Sequence, residues 1–384
     1  MTDDWQQGGF GLYVHWPFCE AKCPYCDFNS HVSRDIDQNI WRTAYLEELR
    51  KSANETPHRV LRSIFFGGGT PSLMDPDLIA DIIAESRKLW PTANDLEITL
   101  EANPSSVEAG RFAGYRDAGV NRVSLGVQAL NDDDLQRLGR LHNVATARDA
   151  LHIAQNTFDR VSFDLIYGRQ NQSLEDWRSE LSQAVGFGTD HMSLYQLTIE
   201  QGTAFGDRYN AGRLRGLPSD DLSADMYDLT QDICEANGLP AYEVSNHARD
   251  GAQSRHNLIY WRYGDYVGIG PGAHGRVTID GTKHATEHAR MPASWLSGPR
   301  EAVRTALEST SSGEEMLLMG LRLAEGIDLN RFESMSGLRL DEKTLADLVD
   351  EGWIALERRI TVNKQGLIVL NAILERLLTT ARPA

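Results

Sequence analysis

The stretch "GLYVHWPFCEAKCPYCDFNSH", residues 11 to 31, holds three of the chain's four cysteines, Cys19, Cys23 and Cys26, in the spacing C-x3-C-x2-C. The apolar run GLYVHW reads as a strand, so the thiols fall on the short loop that follows it. Three soft thiolates this close together suit sulfur ligation of zinc or of an iron-sulfur cluster. Zinc needs a fourth protein ligand, and His15 and His31 lie nearby. A 4Fe-4S cluster held by three cysteines keeps one iron open, and that iron can take a small chelating ligand.

Outward from this stretch, short β-branched or apolar runs alternate with longer helical patterns. The runs are SIFFGG, LEITLE, RVSLGVQ, RVSFDLIYG and HMSLYQLTI, and DDDLQRLGRLHNVATARDALHIAQ is the longest of the helical patterns between them. Six strand-then-helix units predict a parallel α/β sheet whose right-handed crossovers curve it into a barrel or partial barrel. Asn131 to Asp134 read as a helix start, with acidic groups at the positive end of the dipole. The alternation fades near residue 210. LPSDDLSADMYDLTQDICEANGL then reads as one amphipathic helix with Cys234 as a buried small hydrophobe, and AYEVSNHA as a strand and loop. The Gly-rich YGDYVGIGPGAHGRV imitates a dinucleotide fingerprint, but Pro271 interrupts it and no helical pattern follows. A boundary is expected near residue 312. Beyond it the pattern runs helix, two short strands around a turn at Asn363 to Gly366, then helix, as in a small winged-helix-like module. The divisions expected are 8–210, 211–311 and 312–384.

The chain carries 55 acidic against 38 basic residues, a formal charge of −17. That balance argues against nucleic acid or an anionic membrane surface as its main partner. No run of about 18 apolar residues predicts an integral membrane segment, and the N-terminus lacks a signal peptide's cationic start and apolar core. A cytoplasmic protein with reduced thiols is the expectation.

C-x3-C-x2-C with an aromatic residue, Tyr25, before the last cysteine resembles the signature of the radical S-adenosylmethionine (SAM) superfamily. The resemblance implies a partial (β/α)6 TIM-like radical SAM barrel. It also implies a 4Fe-4S cluster on Cys19, Cys23 and Cys26, with SAM chelating the open iron and an electron donor for the cluster. In such barrels the chemistry lies at the C-terminal strand ends. Strand two ends in GGGTP, where Gly67 to Gly69 and Thr70 can receive the methionine end of SAM, although a tight turn would also use these glycines. Glu101 in EANP, Gln128 and Asp164 close strands three to five, and Arg140 in LGRLH offers a forked cation to a carboxylate.

YVHWPFC, CPYCDF, FFGGGTPS, EANP, SLGVQ, LGRLH and DLIYG narrow the resemblance to the coproporphyrinogen III oxidase-like branch, over residues 10 to 380. Within it the chain resembles the heme chaperones. The porphyrinogen-decarboxylating members have a further cysteine two residues after the third; here Asp27 and Phe28 follow Cys26. Those members also carry a longer N-terminal extension. The resemblance implies that Tyr13 lies near the sulfonium and Tyr25 near the adenine. Gly68, Gly69, Thr70, Glu101, Gln128, Arg140 and Asp164 are then contacts to SAM, with Thr198 and His274 as weaker transfers. HNLIYW resembles a motif tied to heme, making His256 a candidate axial ligand and Tyr260 and Trp261 candidates to pack on a porphyrin. The same residues could instead hold two domains together. The function implied is delivery of heme to acceptor apoproteins, with oxidative decarboxylation of coproporphyrinogen III as the alternative. Three cluster ligands suffice for radical generation, so enzyme activity stays open, as does a homodimer.

Overall fold

The alternation becomes an open, mostly parallel sheet. The computed structural model describes residues 4–33 and 35–384. Six strands, β1 (Phe10–Trp16), β2 (Leu61–Gly68), β3 (Thr92–Ala102), β4 (Arg122–Gln128), β5 (Arg160–Tyr167) and β6 (His191–Gln196), run parallel in chain order. Covering them are α1 (Gln38–Glu55), α2 (Pro76–Leu89), α3 (Phe112–Ala118), α4 (Asp132–Arg137), α5 (Val144–Thr157) and α6 (Leu174–Val185). Parallel strands are covered on both faces, and β1 accordingly buries every residue except the half-buried Tyr13. Each helix turns an apolar face inward: α2 buries Leu78, Ile79, Ile82 and Ile83.

After these come α7 (Ala204–Asn210), α8 (Asp220–Ala236), β7 (Asn246–Ala248) and α9 (Arg255–Trp261). The strands β8 (Asp265–Ile269), β9 (His274–Ile279), β10 (Thr282–Glu287) and β11 (Val303–Ala306) then extend the sheet beyond β1. The order is β11-β10-β9-β8-β1-β2-β3-β4-β5-β6-β7, eleven strands with two free edges, so the barrel is partial. The Gly-rich segment thus forms the β8–β9 connection of a sheet rather than a nucleotide loop. Cys234 is fully buried on α8, as its apolar setting predicts.

A second hydrophobic core gathers Leu317, Leu321, Phe332, Leu348, Ile360, Leu374 and Leu377. It is built from α10 (Ser309–Gly320), α11 (Glu342–Asp350), β12 (Ile354–Leu356), β13 (Arg359–Val362), α12 (Lys364–Ile368) and α13 (Leu370–Thr380), among other short elements. Residue 312 lies within α10. The turn expected at Asn363 to Gly366 is corrected: β12 and β13 are joined through Glu357 and Arg358, and Lys364 to Ile368 is helical. Gly366 answers a packing demand, because a Cβ there would sit 2.3 Å from the Trp353 carbonyl.

The long pattern 132–155 is also corrected, from one helix to two. Asn131 caps α4 and Asn143 caps α5, each accepting a backbone N–H from the first turn. Gly139 breaks the helix with φ +70°, and a Cβ there would lie 2.7 Å from Pro24 in the cysteine loop. Only glycine meets both conditions. The break aims the connection from α4 to α5 at the thiols.

Candidate SAM and cluster site

The cysteine loop is pinched at its base, where Phe18 and Cys19 pair in parallel with His31 and Val32. Phe18 anchors that base edge-on against Trp16 and Trp41, with ring centroids at 5.2 and 5.1 Å. Such pairs are each worth about 0.5–1.5 kcal/mol beyond area burial. From the other side α7 braces the loop, the Phe205 N–H donating to the Pro24 carbonyl at 2.8 Å.

Cys19, Cys23 and Cys26 all line one cleft of about 1050 Å3 at the C-terminal ends of the strands. Tyr25, Gly68, Gly69, Thr70, Glu101, Gln128, Arg140 and Asp164 line it too. Sequence reading therefore brought together eleven residues that share a wall. Tyr13, Thr198, His274 and His256 are placed elsewhere. Tyr13 stands behind the wall, its hydroxyl 2.9 Å from His15 Nδ1. Thr198 is exposed beyond β6, and His274 is exposed on β9, 3.9 Å from Glu287. His256 sits on α9 inside the barrel bore, stacked on Phe65 at 4.6 Å.

The thiols fit a cluster better than zinc. The histidines considered for zinc are engaged: His15 meets Tyr13 and the Asn29 carbonyl, and His31 Nε2 lies 3.3 Å from Asn29 Oδ1. Burial raises the Cys19 and Cys26 thiols. Two donors address the sulfurs, Thr70 Oγ1 to Cys19 at 3.4 Å and Arg140 Nη1 to Cys23 at 3.5 Å, as thiolate ligands require.

The remaining wall fits a ligand with both charges. Burial pushes the Glu101 carboxyl up to about 8, with the nearby Asp164 adding to the effect, and burial pushes Asp164 up to about 6. Two neighbouring buried carboxyls of this kind suit a cation, such as an ammonium or sulfonium. Opposite in sign, Arg140 gives Nη2 to Asn103 Oδ1 at 2.5 Å and to the Gly126 carbonyl at 2.8 Å. Its Nε is buried without a partner among the described residues, free for a carboxylate. Gln128 is held at φ +72° where a bulge ends β4, a strained conformation of the kind that collects at binding sites.

The glycine loop does less than its sequence suggested. The amides of Gly69 and Thr70 donate to the Trp16 and Phe18 carbonyls at 2.7 and 2.8 Å, and that of Gly68 to Glu101 at 3.3 Å. Gly68 has φ +113° and a Cβ there would strike His15, so tight docking on β1 explains the residue. Reading by residue type missed Asn103, Ser124, Gly126 and His142, which also line the cleft. Asn103 stood within the EANP run and His142 within LGRLH, so a strand-end position was the available signal.

Comparison with known proteins agrees with this geometry. The Radical SAM superfamily profile matches residues 13–183, a superfamily whose members carry a 4Fe-4S cluster and SAM, and the HemN C-terminal domain profile matches residues 307–369. Mouse (Mus musculus) radical S-adenosyl methionine domain-containing protein 1, mitochondrial, is 39% identical, covering 97% of this chain and 88% of its own length. Heme chaperone HemW of Haemophilus influenzae is 38% identical over 96% of this chain and 97% of its own, and that of Escherichia coli is likewise 38% identical over the same shares. Among solved structures, Escherichia coli coproporphyrinogen III oxidase (HemN) superposes with a TM-score of 0.79 at 21% identity, covering 98% of this chain and 92% of that one, a likeness of fold. Three thiols, a charge-paired cleft and near-full-length relatives at 38% identity meet in one conclusion: the chain belongs to the radical SAM superfamily, in the family of the HemW heme chaperones.

Proposed function

We propose that the chain binds heme and delivers it to acceptor apoproteins, as a heme chaperone that keeps a SAM-binding cluster domain. The observation that carries this reading is the 38% identity to HemW proteins over 96% of the chain. Phe28 supports it: this ring, 61% exposed at the cleft rim, stands where the decarboxylating branch is expected to have cysteine.

In this reading Cys19, Cys23 and Cys26 hold the cluster, and Arg140 Nε receives the SAM carboxylate. Glu101 and Asp164 receive positive charge, Gln128 and Thr70 complete the polar wall, and Tyr25 offers a ring beside it. SAM held there beside a reduced cluster would supply a 5'-deoxyadenosyl radical, given a one-electron donor. Thr198, His274 and Tyr13 act from outside the cleft lining. Association into a homodimer belongs to the same proposal. Among the described residues no helix is long and apolar enough to cross a membrane.

His256 is the family-derived candidate for heme iron. Burial pushes its imidazole down to about 3, so it is neutral, the form that ligates metals. Its ring packs against Phe65 and Tyr13, with centroids at 4.6 and 5.9 Å, and lines the bore. Heme titration followed at the Soret band, with transfer to an apoprotein, tests the function; a chain that takes up no heme overturns it. Unchanged affinity in His256→Ala removes His256 while leaving the chaperone reading intact. The second reading, oxidative decarboxylation of coproporphyrinogen III, is favoured by the HemN-like fold and predicts carbon dioxide release from two propionate arms. SAM cleavage with an intact porphyrinogen would remove it.

A further inference from the structure

Below the cleft, the barrel bore holds a second chamber, most of whose lining the cluster and the SAM contacts leave unused. It shares walls with the cleft, because Glu101, Ser124 and Asp164 line both. Tyr195 is 42% exposed although it projects from β6 into this bore, so the interior is not packed shut.

At the far end lies Arg122, the first residue of β4, only 3% exposed. Among the described residues its one hydrogen bond runs from Nη1 to the Thr99 hydroxyl at 3.5 Å, and it forms no ion pair. The adjacent strand supplies the contrast. Arg160 stands beside Arg122 in register and is well partnered, bonding Glu97 at 2.5 Å and the Ala252 and Gln253 carbonyls at 2.5 and 3.0 Å. The remaining N–H groups of Arg122 are not sealed from the bore, so a ligand entering it can complete the fork.

The chamber lining carries the Glu101, Asp164 and Glu243 carboxyls and the His191 and His256 rings, and Arg122 is its one guanidinium among the described residues, with Ser193 and Asn257 as neutral polar walls. A planar guanidinium matches a carboxylate with two parallel hydrogen bonds. We propose that this chamber binds a carboxylate group, seated on Arg122, with the rest of its molecule directed toward the cleft. The proposal rests on SAM occupying the cleft above. Either a propionate arm of a porphyrin or a free small carboxylic acid presents this chemistry.

The test uses the full-length protein with its cluster reconstituted and SAM present. Hemin, hemin dimethyl ester, propionate and succinate are titrated into wild type and Arg122→Gln, following the Soret band or the heat of binding. If the propionate arm is the ligand, hemin binds at least about tenfold more tightly than its ester, and Arg122→Gln erases the difference. If a free acid is the ligand, succinate or propionate binds wild type and is lost in the variant while hemin and its ester bind alike. No dependence of any probe on Arg122 overturns the proposal. A wild type that binds a free acid but no heme overturns the chaperone reading and leaves the chamber standing. Should Arg122→Gln fail to fold, Tyr195→Trp, which fills the bore and leaves Arg122 in place, must cause the same loss; retained binding there also overturns the proposal.

Discussion

Two clusters of buried charge in this protein are built to opposite rules. Where β8 joins the central sheet, Asp265 is fully buried and fully answered. Arg59 donates to it, Lys283 Nζ lies at 3.0 Å, and the Thr278 backbone N–H and hydroxyl donate at 2.5 and 2.9 Å. These partners outweigh burial and hold its carboxyl below the usual range. In the cleft, burial leaves Glu101 and Asp164 raised, and Arg140 Nε has no partner. A charge that serves the fold is satisfied by the fold. Charges that serve a ligand stay incomplete until it arrives, so partner lists separate the two where burial does not.

Removing the central carboxylate is the strongest way to break this contrast. Asp265→Ala strands Arg59 and Lys283 in the interior and should cost about 3–5 kcal/mol in urea unfolding, whereas Asp164→Asn should cost less than about 1. Equal losses would mean that the cleft carboxyls are structural as well.

Binding should reverse the ranking. Arg140→Gln, unfolding near wild type, should weaken SAM by about tenfold to a hundredfold in equilibrium dialysis. Wild-type affinity in that variant would remove the orphaned Nε from the site.

The clusters should also answer pH with opposite slopes. For Glu101 the native value, about 8, exceeds the ordinary 4.5, so the folded ligand-free protein holds its proton more tightly than the unfolded chain does. Its contribution is full below about 4.5 and is lost as pH rises toward 8. Asp265 is lowered from 3.8, so its contribution is present above that value and is lost as pH falls through the native one. In Glu101→Gln the melting temperature should fall less between pH 5 and 8 than in wild type. Parallel curves would show that Glu101 titrates normally.

The smallest effects belong to the residues outside the cleft lining. Thr198→Ala and His274→Ala are surface changes and should leave stability within about 0.5 kcal/mol, with SAM affinity changed less than about twofold.

Much of the site was legible because its signals are local. Cysteine spacing needs only one loop, and Glu101, Gln128 and Asp164 follow once strand ends are located. The single helix expected over 132–155 failed because propensity does not register what Gly139 must touch. Pro24 lies more than a hundred residues earlier, and its ring is what forbids a side chain there. The turn at Asn363 to Gly366 failed likewise, since Gly366 serves a contact with Trp353 and not a hairpin.

By itself the sequence determined the parallel strand order, the three thiols and the residue types at the strand ends, because alternation and spacing repeat within a few residues of chain. Tertiary structure alone decided how those groups are charged and paired. It set Glu101 beside Asp164, gave Arg122 a single weak hydrogen bond where Arg160 has three, left Arg140 Nε without a partner, and placed His256 inside the bore. Each of these depends on contacts between strands and helices distant in sequence, and no local pattern encodes whether a buried charge will find its partner in the fold or must wait for one from outside.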